Sequence, residues 1–520
     1  MKSRPARFMR RSWLFQFGAL AAMFALLHPL FHRMLRARES AFMDSFALDG
    51  VFSFSPVWAL LILFVLLLVF DRRVRWKRTG GRWLRPFFIV SILWITWSVG
   101  ALGVNYYTGQ PYWLDRILLL VLFLLSIKTP AFVVPLLIGL LFFQAQQRIS
   151  AGQLEITDRF PLFDMQVILV AWLALRLWLP MRARTLLWFL LAVQAVNYLA
   201  PGIAKMTVGG DFRPLEWWTS NPMHMFPATS SHHGWFFWFE PSTVESIIRM
   251  TLLIAPLIGA FTFFVEIVCI PMSLFRRGAM IALTAQIMLH LGIFSMTGIF
   301  FWKWIALDAA LLWAVGRSRP RRDWRRVAAM ALLIAAYPLY HTPRYLGWMD
   351  CSVSEQYFFE VQTPDQKWYR VEQSDMSPCD ITFEQGEFHY VNREKVVCRI
   401  WGTIHEYDLA ATVNATRSEA EVREVIAQRG QVHYNEKRAA DLDKFLVTWF
   451  GNVSEAQGRY KWFKVLVAPN HMQARSGEPR YDFETPVQRV RIRFQRSYWD
   501  GERLALIDDT IVREIHIPPR

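Results

Sequence analysis

Cysteine is scarce in this chain. Four occur among 520 residues, Cys269, Cys351, Cys379 and Cys398. None stands in a C-x-x-C pair, which argues against a structural zinc site. The adjacent pair His232-His233 lacks a third ligand that the sequence could nominate, so no metal is expected. Acidic residues are outnumbered, 42 against 58 Lys and Arg, for a formal net charge of +16. Much of the excess lies in short loops between apolar runs, as the positive-inside rule requires, and this excludes nucleic acid as the partner. No internal repeat is visible, which weighs against a transporter built from duplicated halves. No small-residue cleavage pattern follows the first apolar run, so that run reads as an uncleaved helix. The C-terminal part has no G-x-S-x-G, H-E-x-x-H or phosphate loop.

What is present is apolar surface. Hydrophobic residues make up 54% of the chain and tryptophan occurs 24 times; mean hydropathy is +0.21. Apolar runs near the length of a bilayer crossing recur up to residue 341, after which the composition turns charged and mixed. The expected fold is therefore a polytopic α-helical membrane domain of about eleven spans, residues 1–341, followed by a C-terminal α+β extracytoplasmic domain, residues 342–520. Basic flanks at 2–11 and in DRRVRWKRTGGR (71–82) and GRSRPRRDWRR (316–326) place the N-terminus in the cytoplasm. A bacterial inner membrane is the expected location.

Individual elements follow from pattern. Residues 185–203 read as a span with a break at Pro201-Gly202. Residues 243–275 are too long for one straight span, with Pro256 as the expected kink. The aromatic loop 206–242 reads as a lid or an interfacial segment. In the C-terminal part, 385–390, 395–404 and 487–494 (VQRVRIRF) read as strands, and 418–429 (SEAEVREVIAQR) and 437–450 as helices, the first capped by Ser418. A disulfide is expected there, Cys379 with Cys398. Asn414-Ala-Thr and Asn452-Val-Ser fit the glycosylation pattern.

The stretch QAVNYLAPGIAKMTVGGDFRPLEWW (194–218) carries the chemistry. It delivers Lys205 to the end of an apolar run and follows it with Trp217-Trp218. A lysine there is either an interfacial anchor or a catalytic amine whose pKa is pulled down by burial, so that it can act as a base. Ionisable residues inside spans are candidates for function, and Glu266, His290 and Asp308 lie at similar depth on consecutive helices, which predicts a shared network. Gln194, Asn197 and Gln286 face the same interior.

Asn197-Tyr198, Gly202, Ala204-Lys205 and Trp217-Trp218 resemble the Y-x-x-A-G-x-x-K…W pattern of the vitamin K-dependent gamma-carboxylase-like membrane domain, the HTTM family. Here Pro201 separates Ala200 from Gly202. A second block, His290-Leu291-Gly292-Ile293-Phe294 with Gly298-Ile299-Phe300-Phe301-Trp302, resembles that family's histidine helix and its turn. The resemblance covers roughly residues 10–340. It implies an extracytoplasmic site in which a lysine, here Lys205, deprotonates a reduced, vitamin K-like quinone. Reaction with oxygen then yields a base that takes a γ-proton from a glutamate of a protein or peptide, and the carbanion takes up carbon dioxide. Asn197, Tyr198, Trp217, Trp218, Glu266 and His290 are the candidate quinone-contacting residues. The family also uses a histidine to stabilise developing charge, and no residue here is assigned to it. The competing reading is a non-enzymatic scaffold or lipid- or quinone-binding module that presents the C-terminal domain to a partner.

Overall fold

The computed structural model describes residues 13–35, 55–70, 84–101, 103–146, 160–318, 323–341, 347–460 and 477–519. The flank 2–11, the run 71–82 and residues 319–322, on which the expected orientation rests, lie outside these. The N-terminal helices are α1 (Trp13–Leu35), α2 (Ser55–Val69), α3 (Leu84–Gly100), α4 (Trp113–Lys128), α5 (Val133–Gln146), α6 (Phe160–Arg176) and α7 (Ala183–Met206). Two short helices follow, α8 (Glu216–Ser220) and α9 (Met225–His232). Then come α10 (Pro241–Met272), α11 (Arg276–Thr297), α12 (Trp302–Arg317) and α13 (Trp324–Ala335).

Among the described residues four helices are long and apolar enough to cross a membrane: α1 over Trp13–Phe31, α7, α10 and α11. Shorter apolar helices occupy Ser55–Val69, Leu84–Gly100 and Pro130–Gln144. Eleven crossings are thus not supported by helix length, because several apolar runs fold into helices shorter than the roughly 20 residues that a crossing needs.

α7 is the centre of the bundle. Every residue from Thr185 to Val196 is buried, the signature of a helix apolar all round and packed on all sides. The expected break at Pro201-Gly202 does not occur: the helix runs through both to Met206 and carries Lys205 in its last turn. α10 is the opposite case. Leu253 and Leu257 are among its most exposed side chains, an apolar face fit for lipid. Pro256 lies inside it, and the irregularity falls instead on a π-helical turn at Phe264–Val268.

All strands among the described residues lie from Met349 onward. A four-stranded antiparallel sheet has the order β3 (Trp368–Arg370), β2 (Val353–Gln362), β5 (Arg489–Trp499), β6 (Leu504–His516). A small ladder pairs β1 (Met349–Asp350) with β4 (Thr403–Ile404). The helices here are α14 (Asp380–Gln385), α15 (Tyr407–Ala415), α16 (Glu419–Arg429) and α17 (Glu436–Ala456). α16 and α17 match the expected helices, and the Ser418 side chain caps α16 by accepting from the Glu421 amide. The expected strand at 385–390 is the end of α14 and a tight turn at His389–Val391. Of 395–404 only Thr403–Ile404 forms a strand, because the amides of Val397 and Cys398 are taken by the Glu355 carboxylate, at 2.9 and 2.7 Å.

The two parts share cores. Tyr106 and Tyr107, between α3 and α4, lie 5.5 and 5.6 Å from the rings of Trp449 and Phe445 on α17. Asn452 donates to the Tyr106 carbonyl at 2.5 Å, and Asn414 accepts from the Ser352 amide at 2.9 Å; both glycosylation-pattern asparagines are thus held in hydrogen bonds. The loop expected as a lid is a wedge: α9 packs against both α11 and the sheet, and His232 bonds Ser354 at 3.0 Å.

The cysteines contradict the expected disulfide. All four are buried, and none is joined in a disulfide. Cys379 sits among Phe359 and Phe383 in one core, while Cys398 belongs to another. The close neighbour of Cys398 is Cys351, sulfur to sulfur 3.4 Å.

Candidate functional site

At 3.6 residues per turn, Gln194, Tyr198 and Lys205 fall within about 40° of one another on α7. The structure uses this stripe twice. At its end Lys205 Nζ donates to Glu266 Oε1 at 2.5 Å, with both side chains largely buried, 13% and 7% exposed. Trp217 roofs the pair, its ring centroid 4.8 Å from Lys205 Nζ. Such a contact is worth about 0.5–2 kcal/mol according to its desolvation. The indole N–H of Trp217 donates to the Trp348 carbonyl at 2.6 Å, so the roof is tied to the C-terminal part.

Two features set this spacing. Gly202 faces Glu266 one turn before Lys205, where an added Cβ would stand 2.8 Å from Ile267 Cδ1 and 3.2 Å from Glu266 Cβ. Glu266 itself occupies the π-helical turn of α10, a deviation that re-aims one side chain and is common at functional sites. The second oxygen of Glu266, Oε2, is buried with no hydrogen-bond partner.

Deeper along the stripe, the Tyr198 hydroxyl donates to Asp308 Oδ2 at 2.7 Å and lies 2.8 Å from His290 Nε2. Its single proton goes to the carboxylate, so His290 Nε2–H is the donor to the tyrosine oxygen. Gln194 donates to Asp308 Oδ1 at 2.6 Å. Rings of Phe301 and Trp304 flank His290 at 5.1 and 5.6 Å. The expected network of Glu266, His290 and Asp308 is therefore two groups: Glu266 pairs with Lys205, while His290 and Asp308 meet through Tyr198.

The other expected site residues disperse. Asn197 lies on a neighbouring face of α7, where its Oδ1 accepts from His341 Nε2 at 2.9 Å. Trp218 packs edge-on against Phe263, centroids 4.9 Å apart, where an added Cβ on Gly259 would come within 2.3 Å of its carbonyl oxygen. It serves the junction of α8 and α10. The sequence reading missed Asp350. Burial pushes this carboxyl up to about 7, against the opposing effects of its Asn221 hydrogen bond and the Lys205 charge. Asn221 donates to Asp350 Oδ2 at 2.6 Å and accepts from the Asp350 amide at 2.9 Å. Its signal, an isolated Met-Asp-Cys after the last apolar run, has no spacing that distinguishes it from a loop acid.

No protein-family model, no curated protein and no solved structure matches this chain.

Proposed function

We propose that this chain is an integral membrane enzyme of the gamma-carboxylase-like class, in which Lys205 and Glu266 together remove a proton from a hydroxyl of a reduced quinone held against Trp217. The observation that carries this reading is the buried 2.5 Å contact of Lys205 Nζ with Glu266 Oε1 under the Trp217 ring, with Glu266 Oε2 left without a partner. A buried carboxylate oxygen in that condition calls for a donor, and a hydroquinone hydroxyl is a donor on a flat apolar body that suits an aromatic roof. When bound, a reduced quinone would supply the electrons with which oxygen becomes a base strong enough to take a γ-proton from glutamate.

The chain's own groups supply positioning and proton transfer. Glu266 Oε2 accepts the hydrogen bond of the hydroxyl. Lys205 enters the step as the neutral amine: the proton that Glu266 accepts passes on to Lys205, which ends the step as the ammonium, with Glu266 again a carboxylate. Trp217 excludes water and holds the cationic state of Lys205. Gly202 and the π-helical turn keep the two partners at contact distance. On this reading the shorter apolar helices complete the bundle, the chain sits in a bacterial inner membrane with its N-terminus in the cytoplasm, and the C-terminal part meets the glutamate-bearing protein or peptide outside.

The test is incorporation of labelled carbon dioxide into protein, in membranes with and without the chain. Lys205→Arg keeps the positive charge beside Glu266 but cannot give up its proton near neutral pH. It should lower incorporation by about 10²–10⁴-fold at unchanged expression. Full activity in Lys205→Arg would return Lys205 to an anchoring role. One observation favours a second reading, a quinone- or lipid-binding module without turnover: Trp217 is tethered to Trp348, which couples occupancy of the site to the C-terminal part. Bound quinone without incorporation would support it.

A further inference from the structure

A second polar cluster lies away from Lys205, where α1, α6 and the chain leaving α13 meet. His28 Nε2 stands 3.0 Å from Asp164 Oδ1. Together with a ring nitrogen of His341, one potential ligand atom from each residue lies within 4.8 Å of the others. Asp164 and His341 are buried, each 4% exposed. The rings of His28 and His341 are 6.0 Å apart and nearly perpendicular, so they do not stack.

The decisive atom is His341 Nδ1. His341 Nε2 is engaged by the amide oxygen of Asn197 at 2.9 Å. An amide oxygen only accepts, so Nε2 carries the proton and Nδ1 presents a lone pair. That Nδ1 is buried and has no hydrogen-bond partner. A metal-ligating histidine is held in this way, one nitrogen donating to an oxygen and the other left for the ion. The donors come from three separate segments, so no local turn explains their meeting.

We propose that His28, Asp164 and His341 form a binding site for a divalent first-row transition ion of the zinc type, with Asn197 as the positioning residue that fixes the tautomer of His341. Two imidazoles and one carboxylate select such ions over magnesium and calcium, which take oxygen donors. Three protein ligands leave a coordination position open to water or another small ligand. The pair His28–Asp164 already has about the separation of two ligands on one ion, and a ring nitrogen of His341 lies within 4.8 Å of both. The proposal does not rest on the proton-transfer reading of Lys205.

The experiment uses the full chain in detergent, stripped with a chelator and reloaded with zinc or cobalt(II). Wild-type protein should retain one zinc per chain after desalting, and the cobalt form should show visible d–d bands of a four- or five-coordinate site. The double variant His28→Ala/His341→Ala and the single variant Asp164→Asn should each weaken zinc binding by more than tenfold. Asn197→Ala should weaken it by about 10–100-fold, while Lys205→Met should bind as wild type does. Should the variants fail to fold, X-ray absorption on the wild-type zinc form must show two imidazoles in the first shell. A wild-type protein that retains no zinc, a zinc shell without imidazole, or folded ligand variants that bind as tightly as wild type would each overturn the site.

Discussion

Two buried ion pairs in this molecule differ in how completely they are satisfied. In the C-terminal sheet Arg496 Nε donates to Glu355 Oε1 at 2.7 Å, and the other Glu355 oxygen accepts the amides of Val397 and Cys398. Arg496 also bonds Asp508 and, at 2.6 Å, the Lys395 carbonyl. Every face of the pair is used, and its effect is to hold the 395–398 segment against the sheet. The pair Lys205–Glu266 has one short contact, an aromatic roof and a carboxylate oxygen with nothing to accept from. A fully connected pair specifies structure. A pair with an orphan oxygen keeps an acceptor left over, and the proposed function rests on that difference.

The largest effect expected from this contrast is on stability at the sheet. Arg496→Met should destabilise the protein by about 3–5 kcal/mol, since it strands a buried carboxylate; denaturant unfolding in detergent, followed by limited proteolysis, measures it. A loss below about 1 kcal/mol would erase the distinction between the pairs, because exposed pairs cost no more than that.

Glu266→Gln inverts the balance. The amide still accepts from Lys205, so unfolding should move by about 1–2 kcal/mol. On the proposed function, carbon dioxide incorporation should fall by about 10²–10⁴-fold, as for a lost proton acceptor. An active Glu266→Gln protein would place Glu266 with Glu355 as a structural partner.

Asp350 sharpens the comparison through pH. Its folded value of about 7 lies above the ordinary 3.8, so the folded state binds a proton more tightly than the unfolded chain does. Stability from this group is greatest below the unfolded value and is lost as pH rises from 3.8 to about 7. The slope is at most about 1.4 kcal/mol per pH unit. Asp350→Asn should flatten the pH dependence of the unfolding midpoint over that window; an unchanged slope would assign it to other groups.

Tyr198→Phe should have the smallest effect on incorporation. It removes the hydroxyl that joins His290 to Asp308 and should cost about 1–3 kcal/mol through the unsatisfied carboxylate, measured as a shift in thermal midpoint. A larger loss of activity than Glu266→Gln would move the chemistry from the end of α7 to its middle.

Much of this was legible in the order of residues alone. Long apolar runs required helices, and α7, α10 and α11 are where hydropathy puts them, since a run apolar all round has no other state that satisfies its backbone in a low-dielectric medium. α16, with its Ser418 cap, and β5, which begins at Arg489 within the expected strand 487–494, follow from local pattern. β2 did not, because nearly every residue of Val353–Gln362 is buried and burial on both faces erases the period-two signal. Lys205 and its tryptophans were visible as a stretch, and Glu266, His290 and Asp308 as polar residues in apolar runs.

Which of them meet was decided only in three dimensions. Periodicity tells which face of one helix a residue shares, and it says nothing about the partner helix brought to that face. Gly202 and the π-helical turn put Glu266 on Lys205 and leave His290 and Asp308 to Tyr198. The same limit explains the cysteines: Glu355 gathers the Val397 and Cys398 amides and carries Cys398 to Cys351, away from Cys379. His28, Asp164 and His341 stand far apart in the chain, and only the packing of α1, α6 and the exit from α13 makes one cluster of them.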